Sequence, residues 1–270
     1  MSEPFDWLAQ ARAQAEAAPL RPRVPLDLAS GDAAGSHRIG SIEASLAERL
    51  RSAGLPLQRG SDGYCIVAPA ATALPAIARF LHAERIASHW RDEQLAVVDA
   101  EGRIVGEIER GVVRVLGLAT EAVHLVGRAE SGADWVQLRA STKSTDPGRW
   151  DTLMGGQIAA GESILDTLAR ETMEEAGLDV AALHGLEQAA PLWLRRPVRE
   201  GYMVERISVF RAVVPAGLVP VNRDGEVDRF ECLDRSALVR RLAAGEFTLE
   251  ATLILGAELE RRADASAGRA

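Results

Sequence analysis

The 270-residue sequence predicts an α/β fold organised as two domains. Two observations predict it. Segments with the two-residue period of strands and segments with the 3.6-residue period of helices succeed one another from Ser41 to Arg262. The chain is long enough to bury two cores, and the pattern breaks at Gly117. The expected organisation is an Ala/Pro-rich segment over 1–40, a small α/β domain over 41–117, a second domain over 118–262 and a mobile tail over 263–270.

The first forty residues open on a short helical pattern that runs into Pro22 and Pro25. SIEASLAERLRSAG then reads as an amphipathic helix, with Ser41 as N-cap, Ile42, Leu46 and Leu50 on one face, and Gly54 beyond its end. YCIVA reads as a strand. ATALPAIARFLHAERIASHW reads as a helix burying Leu74, Ile77, Leu81 and Ile86, with Pro75 near its first turn. LAVVDAEGRIVGEI is a hairpin around Asp99–Gly102, and ERGVVRVLGL a short helix ending near Gly117. Beyond the break, AVHLVGRA and DWVQLRAS are strands joined by a polar turn, followed by a loop holding Lys143, Pro147 and Trp150. Later strands are expected at APLWLRR, RISVFRAVVP and DRFECL, and helices at SALVRRLAAG and TLEATLILGAELERR.

Composition narrows the function classes. The apolar and charged fractions, 47% and 26%, are those of an ordinary globular protein. A formal charge of −8 argues against binding a nucleic-acid backbone, yet leaves room for a small phosphorylated ligand in a local basic pocket. The opening residues carry acids and lack an apolar core, unlike a signal peptide, and the most apolar run is short and broken by Pro69 and Pro75. A cytoplasmic protein without membrane partners is therefore expected. Cys65 and Cys232 lack metal-ligand spacing and read as buried thiols.

GGQIAAGESILDTLARETMEEAGL, from Gly155 to Leu178, concentrates the chemistry. Ser163 is the expected N-cap, with Asp166 three residues on, and Gly177 the expected left-handed C-cap, giving a helix over Ile164–Ala176. Leu165, Leu168, Thr172 and Ala176 form its inward face, while Glu171, Glu174 and Glu175 share another. Three neighbouring carboxylates repel one another, so a cation from outside the helix is called for. A hard divalent ion such as magnesium, held by oxygen ligands and substrate phosphates, suits them. Arg170 is placed to orient a glutamate, and Gly155 and Gly156 allow a close approach of backbone. A solvated acidic face is the other reading of such a triplet taken alone.

The whole spacing, Gly156, five residues, Glu162, seven residues, then Arg170-Glu171-Thr172-Met173-Glu174-Glu175-Ala176-Gly177-Leu178, resembles the Nudix box. That resemblance implies an α/β/α sandwich around a mixed sheet in the second domain, and hydrolysis of an organic diphosphate. It implies Mg2+, with Mn2+ as a substitute, on Glu171, Glu174, Glu175 and the Gly156 carbonyl, with Glu162, Arg170 and Gly177 as structural or orienting residues. The general base is open between Glu171 and Glu226, and Glu226 reads equally as a turn residue.

HWRDE, EIERGVVRVLG, VHLVG, STKSTDPGRWD, DGEV and GEFT resemble, in this order, the Nudix branch related to fungal and plant thiamine diphosphate enzymes. The chain departs from that branch at Val126, where the branch has Asn before the glycine. The branch implies a small-molecule substrate, a damaged oxo or oxy thiamine diphosphate, converted to its monophosphate. Lys143 would clamp a phosphate and Trp150 stack on the ring; a solvent-exposed lysine and a core tryptophan are the alternatives. His124 would bond a ligand or be a satisfied strand histidine, and Arg195 and Arg196 contact phosphate or lie at the surface. Competing functions are hydrolysis of ADP-ribose, a nucleotide sugar or an oxidised nucleotide, and an idle Nudix domain serving as a metabolite-binding module. No kinase-type phosphate loop is present. For the first domain, gating, substrate choice and a homodimer contact all remain open.

Overall fold

Hydrophobic side chains sort into three clusters in the computed structural model, which describes residues 5–30, 35–87 and 89–267. The first cluster draws only on Leu26 to Leu118. Around it lie β1 (Arg23–Ala29), β2 (Ser36–Glu43), α2 (Ala44–Ser52), β3 (Leu57–Arg59), β4 (Tyr64–Ile66), α3 (Ala70–Ala83), β5 (Gln94–Val98) and β6 (Ile104–Glu109). Strands β2-β1-β4-β3 form one sheet, with β1 and β4 parallel, and β5-β6 is a separate hairpin. Preceding them is α1 (Asp6–Ala15), which joins the other unit: Leu8, Ala11 and Ala15 are buried in its core, and α1 packs against the C-terminal helix.

That second unit contains β7 (Ala119–Ala129), β8 (Asp134–Arg139), β9 (Trp150–Asp151), β10 (Met154–Gln157), α4 (Ile164–Ala176), β11 (His184–Gln188), β12 (Leu192–Val198), β13 (Gly201–Val214), β14 (Val227–Leu233), α5 (Arg235–Ala243) and α6 (Leu249–Ala267). Its sheet runs β11-β13-β7-β8-β14, with β10, β12 and β9 paired alongside. The β7/β13 pair is parallel and the others antiparallel, so the sheet is mixed. Alternation along the strands divides its faces. Ala122, Val126, Ile207 and Val209 meet α1, α5 and α6, whereas Val123, Leu125, Phe210 and Ala212 meet Leu168 and Ala176 of α4. The result is an α/β/α sandwich.

Several local expectations change. The segment expected to be helical from Ser41 stays in β2 to Glu43, because Arg23–Ala29 pairs with it; the Ser41 hydroxyl accepts from Arg23 Nε at 3.0 Å instead of capping a helix. Residues 23–43, read as Pro-rich segment and helix start, thus supply two strands. The helix expected over 71–90 ends at Ala83, and the one before Gly117 shrinks to a single 3-10 turn, Arg110–Val112. Residues 263–267, expected in a mobile tail, continue α6, and 268–270 lie outside the described residues. Both cysteines are free but not buried: Cys65 is half-buried and Cys232 exposed. Among the described residues no helix is long and apolar enough to cross a membrane.

Candidate active site

Helix α4 begins and ends where its caps dictate. The Ser163 hydroxyl accepts from the Asp166 backbone N–H at 3.2 Å and donates to the Asp166 carboxylate at 2.6 Å. Gly177 adopts φ 62°, ψ 23°, and its N–H together with that of Leu178 closes on the Met173 and Thr172 carbonyls. Between these ends the burial differs from the expected face in two places. Leu165 is 61% exposed, and Glu175 is 1% exposed, seated beside Leu168 and Thr172 in the inward layer. Glu171 is half-buried and Glu174 exposed, so the three acids descend in steps from solvent into the sheet.

Two cations answer the three carboxylates. Arg170 donates to Glu162 Oε1 and Oε2 at 2.7 and 2.8 Å, and to Glu171 and Glu174 at 2.9 and 3.0 Å. This fork draws Glu162 down to about 2. Lys143 forms an ion pair with Glu226 and lies 3.7 Å from Glu175 Oε1. Burial pushes Glu175 up to about 7, against the opposing pull of Lys143 and of hydrogen bonds from Gln137 Nε2 (2.9 Å) and the Gly155 N–H (3.1 Å). Burial also raises Glu171, against the pull of Arg170.

The glycines bring backbone to these acids. A methyl at Gly156 would overlap the Glu171 carboxyl group, and one at Gly155 would lie 2.5 Å from His124 Cε1. Strand β10 pairs Gly156 with Val123 of β7, in ladder phase with the Ile158 N–H to Glu121 O bond. By the alternation of an antiparallel ladder, Gly156 directs its peptide groups at β7 and Gly155 directs its own toward α4. The backbone carbonyl turned to the acids is therefore that of Gly155, in place of the expected Gly156.

The donor set fits a hard divalent cation. It is all oxygen, two of its carboxylates are pushed toward protonation by burial, and Gln137 Oε1, beside Glu175, is buried without a partner among the described residues. Arg170 and Lys143 hold the place of positive charge, and among the described residues no three His, Cys, Asp or Glu side chains already form a cage. Coordination would draw Glu171 and Glu174 off Arg170.

A cavity of about 900 Å3 opens beside this helix, lined by Glu171, Glu174, Lys143, Glu226, His124 and Arg196 among others. Trp150 does not line it. Successive strand residues face opposite ways, so with Asp151 facing the cavity Trp150 is buried, between Phe247 and the guanidinium groups of Arg229 and Arg241. His124 is both a satisfied strand histidine and a cavity residue. Its Nδ1 lies 2.9 Å from Thr152 Oγ1, whose own hydrogen goes to the Met154 carbonyl at 2.8 Å; Nδ1 is thus the donor, with the Asp151 carboxylate 3.6 Å away. Arg196 pairs with Glu250 at 3.2 Å, and Arg195 stacks on Trp193 away from the cavity wall. Sequence reasoning missed Gln137, Asp151, Glu205 and Glu250, which come from four separate elements and carry no spacing signal. Glu205 is buried, and its carboxyl is raised by burial and by Glu250 while it accepts from Thr120 and Gln157.

The NUDIX domain family matches residues 118–252, half of the chain. The chain is similar to Nudix hydrolase 24, chloroplastic, of Arabidopsis thaliana, at 30% identity over 129 residues, 47% of this chain and 35% of the relative. An uncharacterized Saccharomyces cerevisiae protein is 25% identical over 184 residues, 62% of this chain and 53% of that one. The chain spans about a third to a half of the length of these two relatives. A Nudix hydrolase of Deinococcus radiodurans is 27% identical over 157 residues, 57% of this chain and 86% of the relative. The crystal structure of DR0079 from Deinococcus radiodurans superposes with TM-score 0.51 at 24% identity, covering 62% of this chain and 98% of that one, which shows the shared fold.

Proposed function

Because the chain belongs to the NUDIX domain family, we propose that it is a magnesium-dependent hydrolase of organic diphosphates, with Mn2+ as a substitute, acting on damaged thiamine diphosphates to give the monophosphate and phosphate. The observation that carries the hydrolase reading is the descent of Glu171, Glu174 and Glu175 from the cavity rim into the sheet, with Glu171 and Glu175 raised by burial. The thiamine-type substrate rests on the resemblance of the stretches outside the box.

A divalent cation on these carboxylates and the Gly155 carbonyl would supply charge neutralisation on the diphosphate and activation of water. The residues of the chain do the rest. Arg170 grips Glu162 in bidentate fashion, which keeps the helix start in register, and would leave Glu171 and Glu174 to a bound cation. Glu171 and Glu226 are the two candidates for the general base: both line the cavity, the first bonded to Arg170 and the second paired with Lys143. Lys143, held between Glu226 and Glu175, is placed to follow negative charge onto the departing phosphate.

The test is a magnesium-dependent turnover screen resolved by mass spectrometry, comparing thiamine diphosphate, its oxo and oxy analogues, ADP-ribose and oxidised nucleoside triphosphates. Preferred release of monophosphate from the damaged thiamine diphosphates is expected, with Glu175→Gln losing at least about 100-fold. Preference for ADP-ribose or a nucleotide would overturn the substrate and leave the hydrolase; undiminished turnover by Glu175→Gln would remove the metal assignment.

A further inference from the structure

Part of the cavity wall is supplied by the first unit, through Arg91, Glu93, Arg110 and Arg114. Of the cations that line the cavity, Arg170, Lys143, Arg139, Arg196 and Arg110 each face a carboxylate within ion-pair distance. Arg91 and Arg114 face none among the described residues. Among the described residues the exposed Arg91 guanidinium donates only to the Ser144 hydroxyl, on the loop that also carries Lys143. The half-buried Arg114 side chain has no hydrogen-bond acceptor among the described residues and acts on Glu205 only at a distance, helping to offset the burial that raises that acid. Both guanidinium groups without a carboxylate partner thus come from the unit that lacks the box.

Backbone contacts seat both residues, within the first unit for Arg91 and across to the second for Arg114. Glu109, 2% exposed, accepts from the backbone N–H groups of Arg91 (2.6 Å) and Gly111 (3.1 Å), which ties the approach to β5 to the turn after β6. Arg114 follows that turn with Val113 and Val115 buried on either side, and its carbonyl accepts from the Tyr202 N–H of the β12–β13 hairpin at 2.9 Å. A guanidinium partly withdrawn from water with donors unanswered is costly, and a planar fork of N–H groups answers a phosphate better than any other common anion except a carboxylate. Seating the backbone of both arginines before a ligand arrives lowers the ordering cost of binding.

We propose that Arg91 and Arg114 clamp a phosphate group of the substrate, so that the first unit is one wall of the binding site and sets which diphosphates enter. This rests on the diphosphatase reading for the identity of the ligand, although the clamp itself needs no turnover. The test is calorimetric titration of inorganic pyrophosphate, with magnesium, into the full chain and into Arg91→Ala, Arg114→Gln, the double variant and Arg59→Ala, an exposed arginine outside the cavity. Each single variant is expected to bind about 10-fold more weakly and the double variant about 100-fold, with Arg59→Ala unchanged. Circular dichroism of each variant establishes that it is folded, and Arg114→Lys, which keeps a point charge, should recover part of the loss. Affinities of the single and double variants within twofold of the parent, an equal loss in Arg59→Ala, or no binding by the parent overturns the clamp. Pyrophosphate binding that depends on the two arginines in a chain that hydrolyses nothing would sink the hydrolase reading alone; turnover whose KM ignores both arginines would sink the clamp alone.

Discussion

At Gly156 a single hydrogen is the whole side chain, and the Glu171 carboxyl group fills the space a methyl would take. Gly156→Ala should therefore fold and turn over magnesium-dependently about 10- to 100-fold more slowly, because a displacement of Glu171 by an ångström misplaces a working carboxylate. Steady-state rates together with a magnesium titration measure this, and wild-type rates would mean that Glu171 moves without consequence. The acids themselves were legible from their spacing, but the burial of Glu175 was not. On a helix Glu175 sits about 40° from Glu171 on the Leu168 side, so it shares the inward stripe, whereas Glu174 turns about 60° the other way. Counting carboxylates three and four apart joins all three, and only the sheet beneath the helix separates them. Trp150 was undecided for a similar reason: a two-residue strand has no period from which to read a face.

At the scale of elements, α4 could be placed to the residue because both of its ends are fixed by side-chain chemistry within the segment. Ser163→Ala removes the acceptor for the Asp166 N–H and should cost about 1 kcal/mol, read as a melting temperature lower by roughly 2–4 °C. An unchanged melting temperature would mean that the sheet alone sets the helix start. Strands β1 and β2 lacked such local signals. Pro25 in β1 argued against a strand, yet it lies just ahead of Leu26–Leu28, the stretch that pairs with β4, so its missing N–H takes nothing from that ladder. Ser41 had a capping residue's chemistry and an amphipathic run after it, and the pairing of Ser41 with Pro25 outweighed both. Pairing with a partner many residues distant decides a strand, and a window of neighbouring residues does not contain it.

Across the whole molecule both units line the cavity, and what holds the first unit together also seats the backbone of Arg91. The β5–β6 hairpin is tied to β2 through Asp99, which accepts from the Arg103 N–H at 2.9 Å and Arg103 Nε at 2.7 Å, and faces His37 Nδ1 at 2.8 Å. Burial raises the Asp99 carboxyl, and the bonds from Arg103 and His37 outweigh it, leaving the group well below the usual carboxylate range. A depressed folded-state pKa means that the unfolded chain binds the proton first. The contribution of Asp99 to stability is therefore complete above about pH 5, and it is lost as the pH falls below about 4 toward the folded value. Urea unfolding at pH 7, 5, 4 and 3 should show stability falling with acid in the parent chain. Asp99→Asn should be less stable at pH 7 and flatter below pH 5, the two curves converging at the acid end; parallel curves would mean that Asp99 is not a source of the acid dependence. Since the hairpin ends at Glu109, which fixes the backbone of Arg91, the same variant should weaken pyrophosphate binding at pH 7 without altering any residue of the cavity.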